Sequence, residues 1–189
     1  MKIPFLNSPK FWLVIILGLA FTPAHAGDGQ SNNTNPESGF YVGLTYVDSE
    51  IDSDILDTSG DGEGYTIGYR FNNGLSIEYT LNRIDYDDIN YHGTKVTNIE
   101  GDFQFLSLMY QGKYDKWEPY VRLAFADSEV DETQVYGNGS TASFSSSDDG
   151  FVVGIGTDYA FTDHVSLRLD YSIYSEDQAV LSLGPVIRF

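Results

Sequence analysis

The sequence predicts an all-β chain closed into an eight-stranded antiparallel up-and-down transmembrane β-barrel, and three observations carry that reading. Apolar residues recur at every second position in eight segments. The connections between these segments alternate between short and long. No stretch after residue 26 is long and apolar enough for a membrane helix, so a chain held in a bilayer must close its strands.

The elements follow in order. Lys2 and Lys10 precede an apolar run from Phe11 to Phe21, which ends in Thr22-Pro23-Ala24-His25-Ala26, a small-x-small cleavage site. That run is far shorter than the roughly 20 residues a spanning helix needs, so residues 1–26 read as a secretory signal peptide. Residues 27–38 (GDGQSNNTNPES) are polar and aperiodic, a flexible leader. Residues 39–189 are then the barrel. Phe40, Val42, Leu44 and Tyr46 alternate with Tyr41, Gly43, Thr45 and Val47, and the same period recurs over Tyr65–Phe71, Leu75–Leu81, Phe151–Phe161, Val165–Ile173 and Leu181–Phe189. Two further strands are less regular. In Ile99–Gln111 the apolar phase slips near Phe105 and Leu106, which predicts a bulge there. In Trp117–Val130 the apolar face is Trp117, Val121, Leu123 and Phe125.

Asn72-Asn73-Gly74, Gly112–Lys116 and Thr162-Asp163-His164 are tight turns, whereas Asp48–Glu63, Asp85–Asn98 and Asp131–Asp149 read as long polar loops. A weak internal echo, GFYVGL at 39–44 and GFVVGI at 150–155, sets glycines on the face opposite the apolar residues, as a narrow filled lumen requires.

Composition excludes several function classes. With 28 acidic against 10 basic residues the formal charge is −18, which lacks the clustered Lys and Arg that neutralise nucleic-acid phosphates. The absence of Cys removes disulfides, Cys-ligated zinc and thiol chemistry, and nothing in the chain implies a cofactor.

The export segment, the aromatic-rich period-two strands, the alternating connections and the final LSLGPVIRF resemble the OmpA-type and OmpX-type eight-stranded outer-membrane barrels over residues 39–189. The resemblance implies a Gram-negative outer-membrane location, contact with outer-membrane lipid and lipopolysaccharide, and a monomer. It also implies that Leu181, Leu183, Ile187 and Phe189 form the signal read by the barrel assembly machinery. Pro185 departs from the pattern; it donates no ladder hydrogen bond and predicts a bulge or an unpaired acceptor.

With the apolar phase turned to lipid, Arg70, Glu78, Arg122, Asp158, Arg168, Asp170 and Arg188 face the lumen, where charges of both signs must pair. The turn at 162–164 sets Asp158 across from Arg168, and the turn at 72–74 sets Arg70 diagonal to Glu78. The bland reading is a structural plug; the sharper one is an ion gate. Val153 and Leu169 read as lipid-facing. The acidic loops form a negative crown, and Asp52, Asp54, Asp57 and Asp61 are the candidates for weak divalent-cation binding. The run from Asp57 to Gly62 is not an EF-hand, because Gly68 stands where its twelfth ligand belongs. His164-Val165-Ser166 echoes the His-x-Ser of lipid A deacylases, but a short turn places it on the periplasmic rim, away from lipid A, and His92 reads as a solvated loop residue. The resulting expectation is a non-enzymatic barrel with a structural or adhesion-like role and a host or cell-surface partner at the loops. A small-pore channel is the alternative and a lipid A-modifying enzyme a third.

Overall fold

The computed structural model describes residues 38–52, 57–91, 94–137, 139–174 and 178–189, so the signal-peptide span 1–26 and nearly all of the leader lie outside the described residues. Among the described residues nine strands are formed: β1 (Gly39–Asp52), β2 (Asp57–Arg70), β3 (Leu75–Tyr86), β4 (Ile89–Tyr91), β5 (Thr94–Gln111), β6 (Trp117–Val135), β7 (Thr141–Ala160), β8 (Val165–Ile173) and β9 (Gln178–Arg188). Eight of them are staves. Neighbours in sequence pair antiparallel, β9 pairs with β1, and β3 pairs with β5, which closes the sheet. The ninth, β4, adds three residues to the edge of β5 outside the closed wall.

Side chains alternate across the wall, and along each stave the chemistry of the two sides changes once. On the half nearest the short turns the outward positions are apolar, as Leu75, Ile77, Tyr79 and Leu81 are on β3, and the inward ones are polar or charged, as Ser76, Glu78 and Thr80 are. Beyond that band the sides exchange: Ile84 and Tyr86 are buried, and Arg83 and Asp85 face out. The lower half is built for lipid outside and a polar lumen inside; the upper half is built like a water-soluble barrel. An aromatic girdle marks the short-turn rim, where Phe40, Tyr69 and Phe71 pack edge to face, as do Trp117, Tyr159 and Phe161.

That exchange explains the slip near Phe105 and Leu106, where no bulge occurs. Phe103, Phe105, Ser107 and Met109 all point inward and Leu106, Leu108 and Tyr110 outward, in unbroken register with β3 and β6. The apolar phase changes because the apolar surroundings move from the inside to the outside, and the pleat itself is continuous. The irregularity on this strand lies between Thr97 and Glu100, with Asn98 at a φ of +50°. The connections read as long loops are mostly strand: β1 runs on to Asp52, β2 begins at Asp57, β5 at Thr94, β6 reaches Val135 and β7 starts at Thr141. Polar composition concealed them, because strands above the bilayer need no apolar outer face. Pro185 causes no bulge either. The β1–β9 register is the same on both sides of it, and only the pairs at Leu44–Pro185 and Thr45–Gly184 are missing from the ladder. Finally, Leu169 is exposed on the outer face, but Val153 is buried between its partners Leu123 and Ile173.

Candidate functional site

Inward positions of β2, β3, β6, β7, β8 and β9 bring four guanidiniums and four carboxylates into the lower lumen among the described residues. Arg168 is the hub. It grips Asp158 with two bonds, Nε to Oδ1 at 2.8 Å and Nη2 to Oδ2 at 3.2 Å, and its Nη1 donates to Glu78. Arg122 bridges the other oxygen of Glu78 at 2.6 Å and Asp170 at 3.2 Å. Nearer the short-turn rim, Arg70 donates to Glu118 at 2.9 Å, and Arg188 spans Glu118 at 2.7 Å and Asp158 at 3.1 Å. Glu78 and Asp158 have no exposed surface, so every carboxylate here trades water for at least one guanidinium.

Tyrosines complete the layer. Tyr41 Oη donates to Glu78 at 3.0 Å, Tyr120 Oη to Asp170 at 2.6 Å, and the Arg168 guanidinium lies over both rings at 5.4 and 5.2 Å. Their rings fit because glycines face them: a Cβ at Gly68 would come within 2.3 Å of the Tyr41 ring, and one at Gly156 within 2.4 Å of the Tyr120 ring.

Asp158 stands directly opposite Arg168 in the β7–β8 register, as counting from the turn predicts. Arg70 stands opposite Ser76, yet it does not pair with Glu78; it reaches Glu118, while Glu78 is held by Arg122 and Arg168. Cross-lumen distances govern that choice. Glu118 was missed, although its parity marks it as inward between the outward Trp117 and Pro119.

Above the ion pairs the barrel is dry for a different reason. Val47, Ile84, Tyr86, Phe103, Phe105, Ala124, Val152 and Val180 belong to one apolar core. Phe103 and Phe105 stack at 6.4 Å, and both receive the Tyr174 ring edge-on. Ser49, Tyr86 and Gln178 join their polar atoms at its margin, with Gln178 Nε2 donating to Tyr86 Oη at 2.9 Å. Burial pushes the Tyr86 phenol pKa up, and those two hydrogen bonds offset part of the rise.

The outer surface of this upper region is acidic in a regular way. Asp48, Asp61, Asp85, Glu100 and Asp131 are direct cross-strand partners in one row over β1, β2, β3, β5 and β6, all exposed. One row lower, Arg83 sits between Glu63 and Asp102 and donates to Asp102 at 3.0 Å. Among the proposed cation ligands, Asp54 lies outside the described residues, as does His92, and nothing is described of the side chains of Asp52 and Asp57. Asp61 belongs to the exposed row on β2, and no metal-holding group of three or more His, Asp or Glu occurs among the described residues.

The β5–β6–β7 sheet stands beyond the closed wall. β6 and β7 stay paired to Val135 and Thr141, whereas β8 pairs with β7 only over Val153–Ala160. The β7 edge from Thr141 to Val152 therefore has no second strand partner among the described residues. Leu181, Leu183, Ile187 and Phe189 all sit exposed on the outer face of the last strand and its end. His164 Nδ1 lies 3.2 Å from the Arg188 carbonyl oxygen, and Ser166 is buried in the lumen with no hydrogen bond from its hydroxyl.

Comparison with known proteins finds the family model of the outer membrane protein beta-barrel domain matching residues 13–186. Among solved structures, Neisserial surface protein A is similar at 22% identity, with a TM-score of 0.63 over 80% of this chain and 98% of that one. OprG from Pseudomonas aeruginosa is 15% identical, with a TM-score of 0.57 over 84% and 99%. Ail, the attachment invasion locus protein of Yersinia pestis, is 15% identical, with a TM-score of 0.55 over 80% and 97%. No curated protein matches.

Proposed function

The chain belongs to the outer membrane protein beta-barrel family, and from that premise we propose that it is a closed barrel whose extracellular β-sheet makes contacts with other surfaces, without catalysis. The carrying observation is that the barrel is filled twice, by paired charges in the membrane half and by an apolar core above it, while the strands run on past both fillings. Paired charges and an apolar core stacked in one lumen support this reading over a small-pore channel. Beyond Asp127 and Asp149 the β6–β7 ribbon continues for eight paired residues on each strand, roughly 27 Å at the rise of an extended strand. Its β7 edge, which has no second strand partner among the described residues, is a Ser-rich segment, Ser143–Ser147, which suits pairing with an extended chain. The similar Ail structure is of an attachment invasion locus protein, and a role of that kind is in keeping with this surface.

Export by the segment 1–26, assembly through Phe189 and a monomeric barrel among lipopolysaccharide complete the reading. The lipid A-modifying alternative lacks support, since the His164 ring faces a carbonyl and Ser166 is enclosed on the periplasmic side. The test is binding of cells displaying the protein to animal-cell or matrix surfaces, paired with planar-bilayer recording of the refolded chain. Binding should fall when residues 131–149 are replaced by a short turn while heat-modifiable gel mobility shows an intact barrel, and the bilayer should stay silent. Discrete openings, or binding indifferent to that replacement, would overturn the proposal.

A further inference from the structure

The chain carries a formal charge of −18, yet from Thr133 to Ser147 no residue is charged. This stretch is the tip of the β6–β7 ribbon, beyond Glu132 on one strand and before Asp148 on the other. On its β7 side Ser143–Ser147 are exposed, and the Phe144 ring stands 47% exposed among them. The tip is out of reach of β8 and β9. Those strands close on each other just past the Val153–Ile173 pair, where Tyr174 N donates to Gln178 O at 3.1 Å, and Ser147 lies six residues farther along β7, roughly 20 Å. Sheet edges in natural proteins are guarded by Lys, Pro or a bulge. Thr141–Ser147 has neither residue, and its register with β6 is unbroken.

We propose that this edge pairs antiparallel with the same edge of a second copy on an apposed cell. The inference rests on the surface-contact reading and names its partner. Charge argues for a second copy, because bodies this acidic repel one another and salt screens them only beyond about 10 Å, so that like copies meet best through a neutral tip. A basic partner would be drawn instead to Asp127, Glu129 and Asp131, lower on the ribbon. Direction argues for an apposed cell. Antiparallel self-pairing places the twofold axis perpendicular to the strands, so the two ribbons lead away from the contact in opposite directions. Ribbons in one membrane point the same way; those of two facing membranes point at each other. Centred on Phe144, the pairing spans Thr141–Ser147, sets the two Phe144 rings opposite one another and Ser143 opposite Ser145, and leaves Asp148 outside. One such contact is weak, and many between two cells act together.

The chain has no Cys, so an introduced thiol reports without interference. Cells displaying the full chain with Ser143→Cys are mixed with cells displaying Ser145→Cys and mildly oxidised, with heat-modifiable gel mobility confirming folded barrels. The expected result is a disulfide-linked dimer in the mixture and far less from either population alone. Phe144→Asp, which opposes two carboxylates at the centre of an exposed edge, should abolish the clumping of displaying cells. Clumping that survives Phe144→Asp, or a dimer that forms only when one cell carries both thiols, would overturn the proposal. So would cells that bind animal-cell or matrix surfaces through residues 131–149 and do not clump, an outcome that leaves the surface-contact reading standing.

Discussion

Glu78 accepts from Arg122, Arg168 and Tyr41 in a place that water does not reach. Such a carboxylate gains little from being paired and loses much when a partner goes, because the remaining charge is left dry. Arg168→Gln, which takes one guanidinium from both Glu78 and Asp158, should cost about 3 to 5 kcal/mol in urea unfolding from lipid vesicles. A surface pair such as Lys95–Asp88 offers a contrast, and Lys95→Gln should shift the same midpoint by less than about 1 kcal/mol. Tyr86 carries the pH dependence of the upper core. Its phenol pKa is raised by burial, so its stabilising contribution is complete below the ordinary tyrosine value of about 10 and is lost as the pH climbs past it. The stability difference between wild type and Tyr86→Phe should therefore narrow, then reverse, on alkaline titration of thermal unfolding.

At the scale of the strands, the row Asp48, Asp61, Asp85, Glu100 and Asp131 sets like charges directly opposite one another across four consecutive pairings. Each such pairing is destabilising, and screening relieves it. Asp85→Asn, which interrupts the row at its centre, should stabilise by a few tenths to about 1 kcal/mol at low salt, and the gain should vanish as salt rises. The row also shows what composition hides: seven acidic residues between Asp48 and Glu63 look like a solvated loop, yet most of them are paired strand. Period two was legible where lipid demanded an apolar outer face, as on Leu75–Leu81. It was illegible where Asp, Ser and Gly alternate above the bilayer, as on Thr141–Gly150, because water outside places no such demand on either parity.

For the molecule as a whole, the two fillings act in series. Removing either one leaves the other in the path, so Phe105→Ala and Arg168→Gln should each remain silent in a planar bilayer when gel mobility confirms a folded barrel. Openings from either single variant would mean that one filling alone closes the lumen. Charge is distributed by region in the same way: among the described residues the lumen balances four guanidiniums against four carboxylates, and the acidic excess stands on the outer surface of the half away from the short turns, where field lines spread into water.

What the sequence determined by itself was everything that alternation and turn length control: eight staves, which rim carries the short turns, which charges face inward, and the opposition of Asp158 to Arg168 across a three-residue turn. Those are local properties, since a pleat has a strict period and a tight turn a fixed count. Only the tertiary structure decided that Arg70 answers Glu118 and not Glu78, and that Phe103 and Phe105 roof the ion pairs. Partners across a lumen and neighbours around a closed wall are set by how far the sheet curves and staggers before it closes, a property of all eight strands together that no single stretch of sequence contains.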